Sequence, residues 1–148
     1  MNDKTNKEKL KIAVYWSAAC GGCCVSVLDI HEKLLDVIAE ADLVFWPIAL
    51  DIKYKDVENM PDQFIDITLF NGAVRNSENE EMAKLLRAKS KVLIAYGACA
   101  QLGGIPGLGN FHNREQIFSR VYDDTESTVN PDKIRPILAS TSIDQFTS

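Results

Sequence analysis

The order of apolar and polar positions resolves into strands alternating with helices. Residues 11–16 (KIAVYW) are short, apolar and rich in β-formers, which predicts a buried first strand. In 25–40 the apolar residues Val27, Leu28, Leu34, Leu35 and Ile38 are spaced for one face of a helix. Residues 43–46 and 64–70 (FIDITLF) read as the second and third strands. A helix over 78–88 follows, with Met82, Leu85 and Leu86 at helical spacing. The fourth strand is 91–97 (KVLIAYG), nearly continuous in apolar residues.

Strands that are apolar on both faces and alternate with helices predict a parallel sheet covered by helices. The expected class is α/β, a doubly wound parallel sheet in three layers. Residues 53–63 read as a loop, and 97–112 (GACAQLGGIPGLGNFH) as a Gly-rich loop. Residues 113–122 predict a short helix with Asn113 as N-cap and Ile117, Phe118 and Val121 on its apolar side. From Asp123 to the end the chain is rich in Ser, Thr, Asp and Pro. The expected organisation is therefore one domain over 1–122 and an extended polar tail over 123–148.

Composition narrows the functions. A chain of 148 residues, 46% hydrophobic and 25% charged, buries a real core without a disulfide or metal. Its net charge of -5 and lack of a free basic cluster argue against a nucleic-acid partner. No apolar run approaches the roughly 20 residues that span a bilayer, and residues 1–11 do not resemble a signal peptide. The expectation is a cytoplasmic protein, where thiols stay reduced. Four cysteines there point to metal or redox chemistry.

The cysteines sit at informative places. Ser17, Ala18, Ala19, Cys20, Gly21, Gly22, Cys23 and Cys24 fill the turn from first strand to first helix. Backbone N–H groups and the helix dipole there favour thiolates, the metal-binding form. Cys99 stands just past the fourth strand, and an open parallel sheet binds its ligands outside the carboxyl ends of its strands. Cys20, Cys23 and Cys99 thus fall on one edge. All but one of the eight glycines flank these loops, including Gly21, Gly22, Gly97, Gly103 and Gly104, where the backbone approaches a bulky cofactor. The third strand ends at the same edge in Asn71, Gly72 and Ala73, read as small and unobstructive.

Other readings compete. C-x-x-C between a strand and a helix is also the thioredoxin arrangement, but Cys99 has no role in that chemistry. Zinc ligands usually come in close pairs, and Cys99 has no near partner. Cys24 alone reads as a small buried hydrophobe. His31 and His112 lack metal spacing and read as structural; Trp16 and Trp46 read as packing or interface.

The stretches 14–28 (VYWSAACGGCCVSVL) and 97–110 (GACAQLGGIPGLGN) resemble the small subunit of nickel–iron hydrogenases of the cytoplasmic, methyl-viologen-reducing type. The 20 kDa subunit of NADH:quinone oxidoreductase is the nearest alternative. The resemblance covers about residues 10–130 and implies a flavodoxin-like fold. It further implies a proximal 4Fe-4S cluster, a nickel–iron large subunit that cleaves dihydrogen, and further electron-carrier subunits. Cys20 and Cys23 match the family's first ligand pair and Cys99 its third. No cysteine follows Cys99, where the family has a fourth. Three expectations cover this: an abridged chain, Cys24 as substitute ligand, or a donor from elsewhere. Ala19 and Val25 stand where carboxylates often flank the hydrogenase cysteines. The remaining alternative is a cluster-less assembly or regulatory copy.

Overall fold

The structure, a computed structural model, describes residues 8–136. The last part of the expected tail, 137–148, lies outside the described residues. The chain forms two compact units, meeting in sequence between Leu108 and Gly109.

The first unit is built on four parallel strands: β1 (Leu10–Trp16), β2 (Ala41–Phe45), β3 (Ile65–Asn71) and β4 (Ser90–Tyr96). Their order is β2-β1-β3-β4. The helices are α1 (Gly22–Leu28), α2 (Lys33–Glu40), α3 (Tyr54–Glu58), α4 (Ser77–Lys89), α5 (Ala98–Leu102) and α6 (Gly104–Gly107). The expected α/β class with a doubly wound parallel sheet is borne out.

Side chains alternate across the sheet. Ala13, Tyr15, Phe45 and Phe70 form one core with Val57 of α3 and Met82 and Leu86 of α4. The rings of Tyr15 and Phe70 lie 5.2 Å apart. Val14 turns to the other core, which holds Cys24 of α1 and Trp46, with Val27, Leu43 and Leu69 beside them. Helices on both faces give three layers. At the edge strand β4, Val92 and Ile94 are half exposed.

Three elements differ from the sequence reading. The single helix expected over 25–40 is two, α1 and α2, because His31 adopts a left-handed backbone (φ 54°) between them. The expected loop over 53–63 contains α3, in which the backbone N–H of Lys53 donates to Asp56 Oδ2 at 2.8 Å and Val57 is wholly buried. The expected Gly-rich loop is largely helical: α5, α6 and a 3-10 turn (Leu108–Phe111). Ala98, Ala100, Gln101 and Leu102 are adequate helix formers, and the glycines mark the breaks.

In the second unit, Asn113 caps α7 (Arg114–Phe118), and it does so reciprocally. Gln116 N–H donates to Asn113 Oδ1 and Asn113 N–H donates to Gln116 Oε1, each at 2.9 Å. A π turn (Ser119–Asp123) replaces the last part of the expected helix. Composition placed a boundary at 122/123, but the described chain beyond it is tied back. Arg135 pairs with Asp123 and Glu115, and Asn130 Nδ2 donates to the Tyr122 carbonyl at 3.0 Å.

At the amino ends of the strands, Asp66 accepts the Lys11 backbone N–H at 2.8 Å and the Lys91 ammonium at 2.6 Å. These hold its carboxyl below the ordinary value of 3.8, the backbone bond acting most strongly. A lowered folded value means the stabilisation is present above the unfolded value and is lost as pH falls through the folded one. Urea unfolding at a series of acid pH values should therefore show a shallower loss of stability for Asp66→Asn than for the wild type. An unchanged acid slope contradicts this role.

Candidate metal centre

β1, β3 and β4 finish level with one another: Trp16 stands opposite Asn71, and Asn71 opposite Tyr96. Past Trp16 the chain is fastened to the turn after β3. The Ser17 backbone N–H donates to the Asn71 carbonyl at 2.7 Å, and Ala18 and Ala73 exchange backbone bonds of 3.2 and 3.0 Å. The cysteine turn thus leaves the sheet from a fixed base.

Trp16 folds over that turn. Its indole N–H donates to the Ala19 carbonyl at 3.0 Å, and its ring lies against Gly21, the residue capping α1. Gly22 opens α1 and donates its backbone N–H to Cys20 Sγ at 3.4 Å. Cys20 is exposed, Cys23 half-buried and Cys24 buried, and all are free thiols.

The second cysteine loop leaves β4 at Gly97 and enters α5, with Cys99 half-buried in its first turn. Ser26 ties the two loops together. Its hydroxyl donates to the Cys23 carbonyl at 2.7 Å and so accepts from the Tyr96 hydroxyl, also at 2.7 Å. The Cys23 sulfur lies directly over Gly97, two residues before Cys99. A Cβ at Gly97 would stand 2.3 Å from Cys23 Sγ, and Gly97 holds φ 90°, a conformation that disfavours side chains. Gly104 plays the same part for Cys99: a Cβ there would fall 2.8 Å from its sulfur. Gly103 separates α5 from α6.

Cys24 is placed differently. Its side chain is wholly buried in the core with Val14 and Trp46. Burial pushes its thiol up from the ordinary value, and a bond from Asn71 Nδ2 at 3.1 Å partly opposes this. Among the described residues, no three His, Cys, Asp or Glu side chains are set to hold a single metal ion. No described helix is long and apolar enough to cross a membrane.

Comparison with known proteins places these features in a lineage. A model of the family described as NADH ubiquinone oxidoreductase, 20 Kd subunit, matches residues 20–145. The chain belongs to this family. The F420-non-reducing hydrogenase iron-sulfur subunit of Archaeoglobus profundus is 48% identical over 128 residues, which is 86% of this chain and 40% of that protein. The NAD-reducing hydrogenase HoxS subunit delta of Cupriavidus necator is 30% identical over 84% of this chain and 56% of its own length. A chain in the crystal structure of an NAD+-reducing NiFe-hydrogenase in the H2-reduced state superposes with TM-score 0.70 at 30% identity. The match covers 82% of this chain and 64% of that one. This chain therefore spans about two fifths of the length of its Archaeoglobus profundus relative. The hydrogenase resemblance read from the two cysteine stretches holds at the level of the family.

Sequence reasoning missed what holds the site. Asn71 passed as an unobstructive turn residue, yet its side chain is wholly buried between the loops. The signal was available: an amide that follows Leu69 and Phe70 at the end of a buried strand needs partners inside the protein. The link from Ser26 to Tyr96 left no trace in either pattern.

Gly97→Ala should lower stability by more than about 1 kcal/mol, since it meets both an unfavourable φ and the Cys23 sulfur. Gly107→Ala, which has nothing within 4 Å, should stay within about 0.5 kcal/mol. Denaturant unfolding of both variants checks this, and equal losses contradict the cradle.

Proposed function

We propose that this chain is an iron–sulfur electron-transfer subunit of a nickel–iron hydrogenase-type complex in the cytoplasm. Cys20, Cys23 and Cys99 would hold one 4Fe-4S cluster at the carboxyl edge of the sheet. The observation that carries this is the Cys23 sulfur seated over Gly97, which brings the two cysteine loops to the same point of that edge. The relatives, an F420-non-reducing hydrogenase subunit and an NAD-reducing hydrogenase subunit, support the same reading.

The residues present fit such a group. The donors are soft thiols, exposed or half-buried, of the kind that iron–sulfur clusters take. Gly97 and Gly104 keep the space beside Cys23 and Cys99 free of side chains, while Gly21, Gly22 and Gly103 shape the turns around them. A wholly buried amide with an unpaired oxygen, Asn71, stands at the floor.

Bound there, the cluster supplies one-electron redox chemistry at a potential set by charge, hydrogen bonds to sulfur and exposure. The chain's own residues do the holding. Trp16 and Gly21 fix the turn that presents Cys20, and Ser26 and Tyr96 keep the Cys23 and Cys99 loops together. Val14, Trp46 and Cys24 keep water from the rear of the site. Cys24 belongs to that core, so a fourth ligand to the cluster would come from a donor other than Cys24. The partners would be a nickel–iron large subunit, where dihydrogen is cleaved, and further electron-carrier subunits.

Iron and acid-labile sulfide analysis of anaerobically purified protein tests the assignment. Wild type and Cys24→Ser should carry both, with a reducible paramagnetic signal, and Cys99→Ser should lose most of each. A metal-free wild type, or a Cys99→Ser variant that keeps full disulfide reductase activity, favours thioredoxin-like C-x-x-C chemistry instead.

A further inference from the structure

Asn71 closes β3 beneath the two cysteine loops, and its side chain is wholly buried. Its main chain is fixed by the Ser17 N–H on its carbonyl at 2.7 Å. One end of its amide lies 3.1 Å from Cys24 Sγ, and the other end, Oδ1, meets no donor at all. A buried carbonyl oxygen left bare is costly, so its position calls for an explanation.

The two ends of an amide have the same shape and are told apart only by their partners. Cys24 is a partner with a proton to give, since a thiol S–H donates weakly and sulfur accepts poorly. Turned by half a rotation, the amide receives the Cys24 S–H on its oxygen and leaves no orphan there. Its NH2 then occupies the place of the bare atom. That place lies 3.9 Å from the Cβ built on Gly97, the same point that stands 2.3 Å from Cys23 Sγ. The donor end thus lies near the backbone of Gly97, over which the Cys23 sulfur sits.

We propose that Asn71 is a positioning residue of the iron–sulfur site: anchored by Cys24, its amide directs N–H donors at the sulfur atoms around Cys23. This rests on the cluster reading above. It gives Cys24 a role other than ligation, as the side chain that orients Asn71 from the core. Donors aimed at cluster sulfur favour the more negative, reduced state and raise the potential. Removing them lowers it.

The test uses the full chain, purified anaerobically, with iron and sulfide measured first and the midpoint potential second by a titration followed by electron paramagnetic resonance. Asn71→Leu and Asn71→Asp should keep iron and sulfide while the midpoint shifts to more negative values. Cys24→Ser, which keeps a donor for the amide oxygen, should leave the midpoint near that of wild type. Retained cluster with an unshifted midpoint in both Asn71 variants overturns the proposal and leaves the cluster reading intact. Wild-type protein without iron overturns both. If the Asn71 variants do not fold, pulsed resonance on reduced wild type carrying heavy nitrogen in its asparagine side chains decides. A weak coupling to one amide nitrogen is expected, and its absence overturns the proposal.

Discussion

The level finish of three parallel strands is the constraint on which the site depends. Parallel pairing of β3 with β1 on one side and β4 on the other sets Trp16, Asn71 and Tyr96 in one row. A slip of one residue in either pairing would turn every side chain of the strand to the opposite face. Tyr15 would leave the aromatic core, and the two cysteine loops would no longer start from the same height. The packing of Tyr15, Phe45 and Phe70 against α4 therefore stabilises the register as well as the fold. It acts on the site from the core outward.

Beyond that row, short polar contacts replace sheet pairing. Ser17 and Ala18 are held by the turn after β3, Ser26 by Tyr96, and Cys23 by the bare backbone of Gly97. The four thiols are sorted by this geometry into two kinds. Cys20 is exposed and Cys23 and Cys99 are half-buried, while Cys24, next in sequence to Cys23, is wholly buried in the core. Adjacent residues in a first helical turn point about 100° apart, which is enough to place one thiol in a site and its neighbour behind it.

Much of this was legible in the residues. Apolar runs announce strands, so β1, β3 and β4 lie within a residue or so of expectation, although the edge strand β4 leaves Val92 and Ile94 half exposed. The second strand starts two residues earlier than expected, at Ala41, and ends one residue earlier, at Phe45, where Trp46 leaves it to fill the second core. The break at His31 was hidden because its cause is a single backbone angle, and periodicity persists on either side of it. The short helices α3, α5 and α6 offer too few turns to establish a period. Of the site, the thiols and glycines were visible as residue types. Asn71, Ser26 and Tyr96 matter through partners distant in sequence, and no local pattern reveals such contacts.

In the proposed site, thiols from two loops, one after β1 and one after β4, share a single inorganic core. X-ray absorption at the iron edge of anaerobically isolated protein reads this most directly. Iron with a sulfur-dominated first shell and clear scattering from neighbouring iron atoms is expected. Isolated metal without metal–metal scattering, or a shell of nitrogen and oxygen, would contradict it.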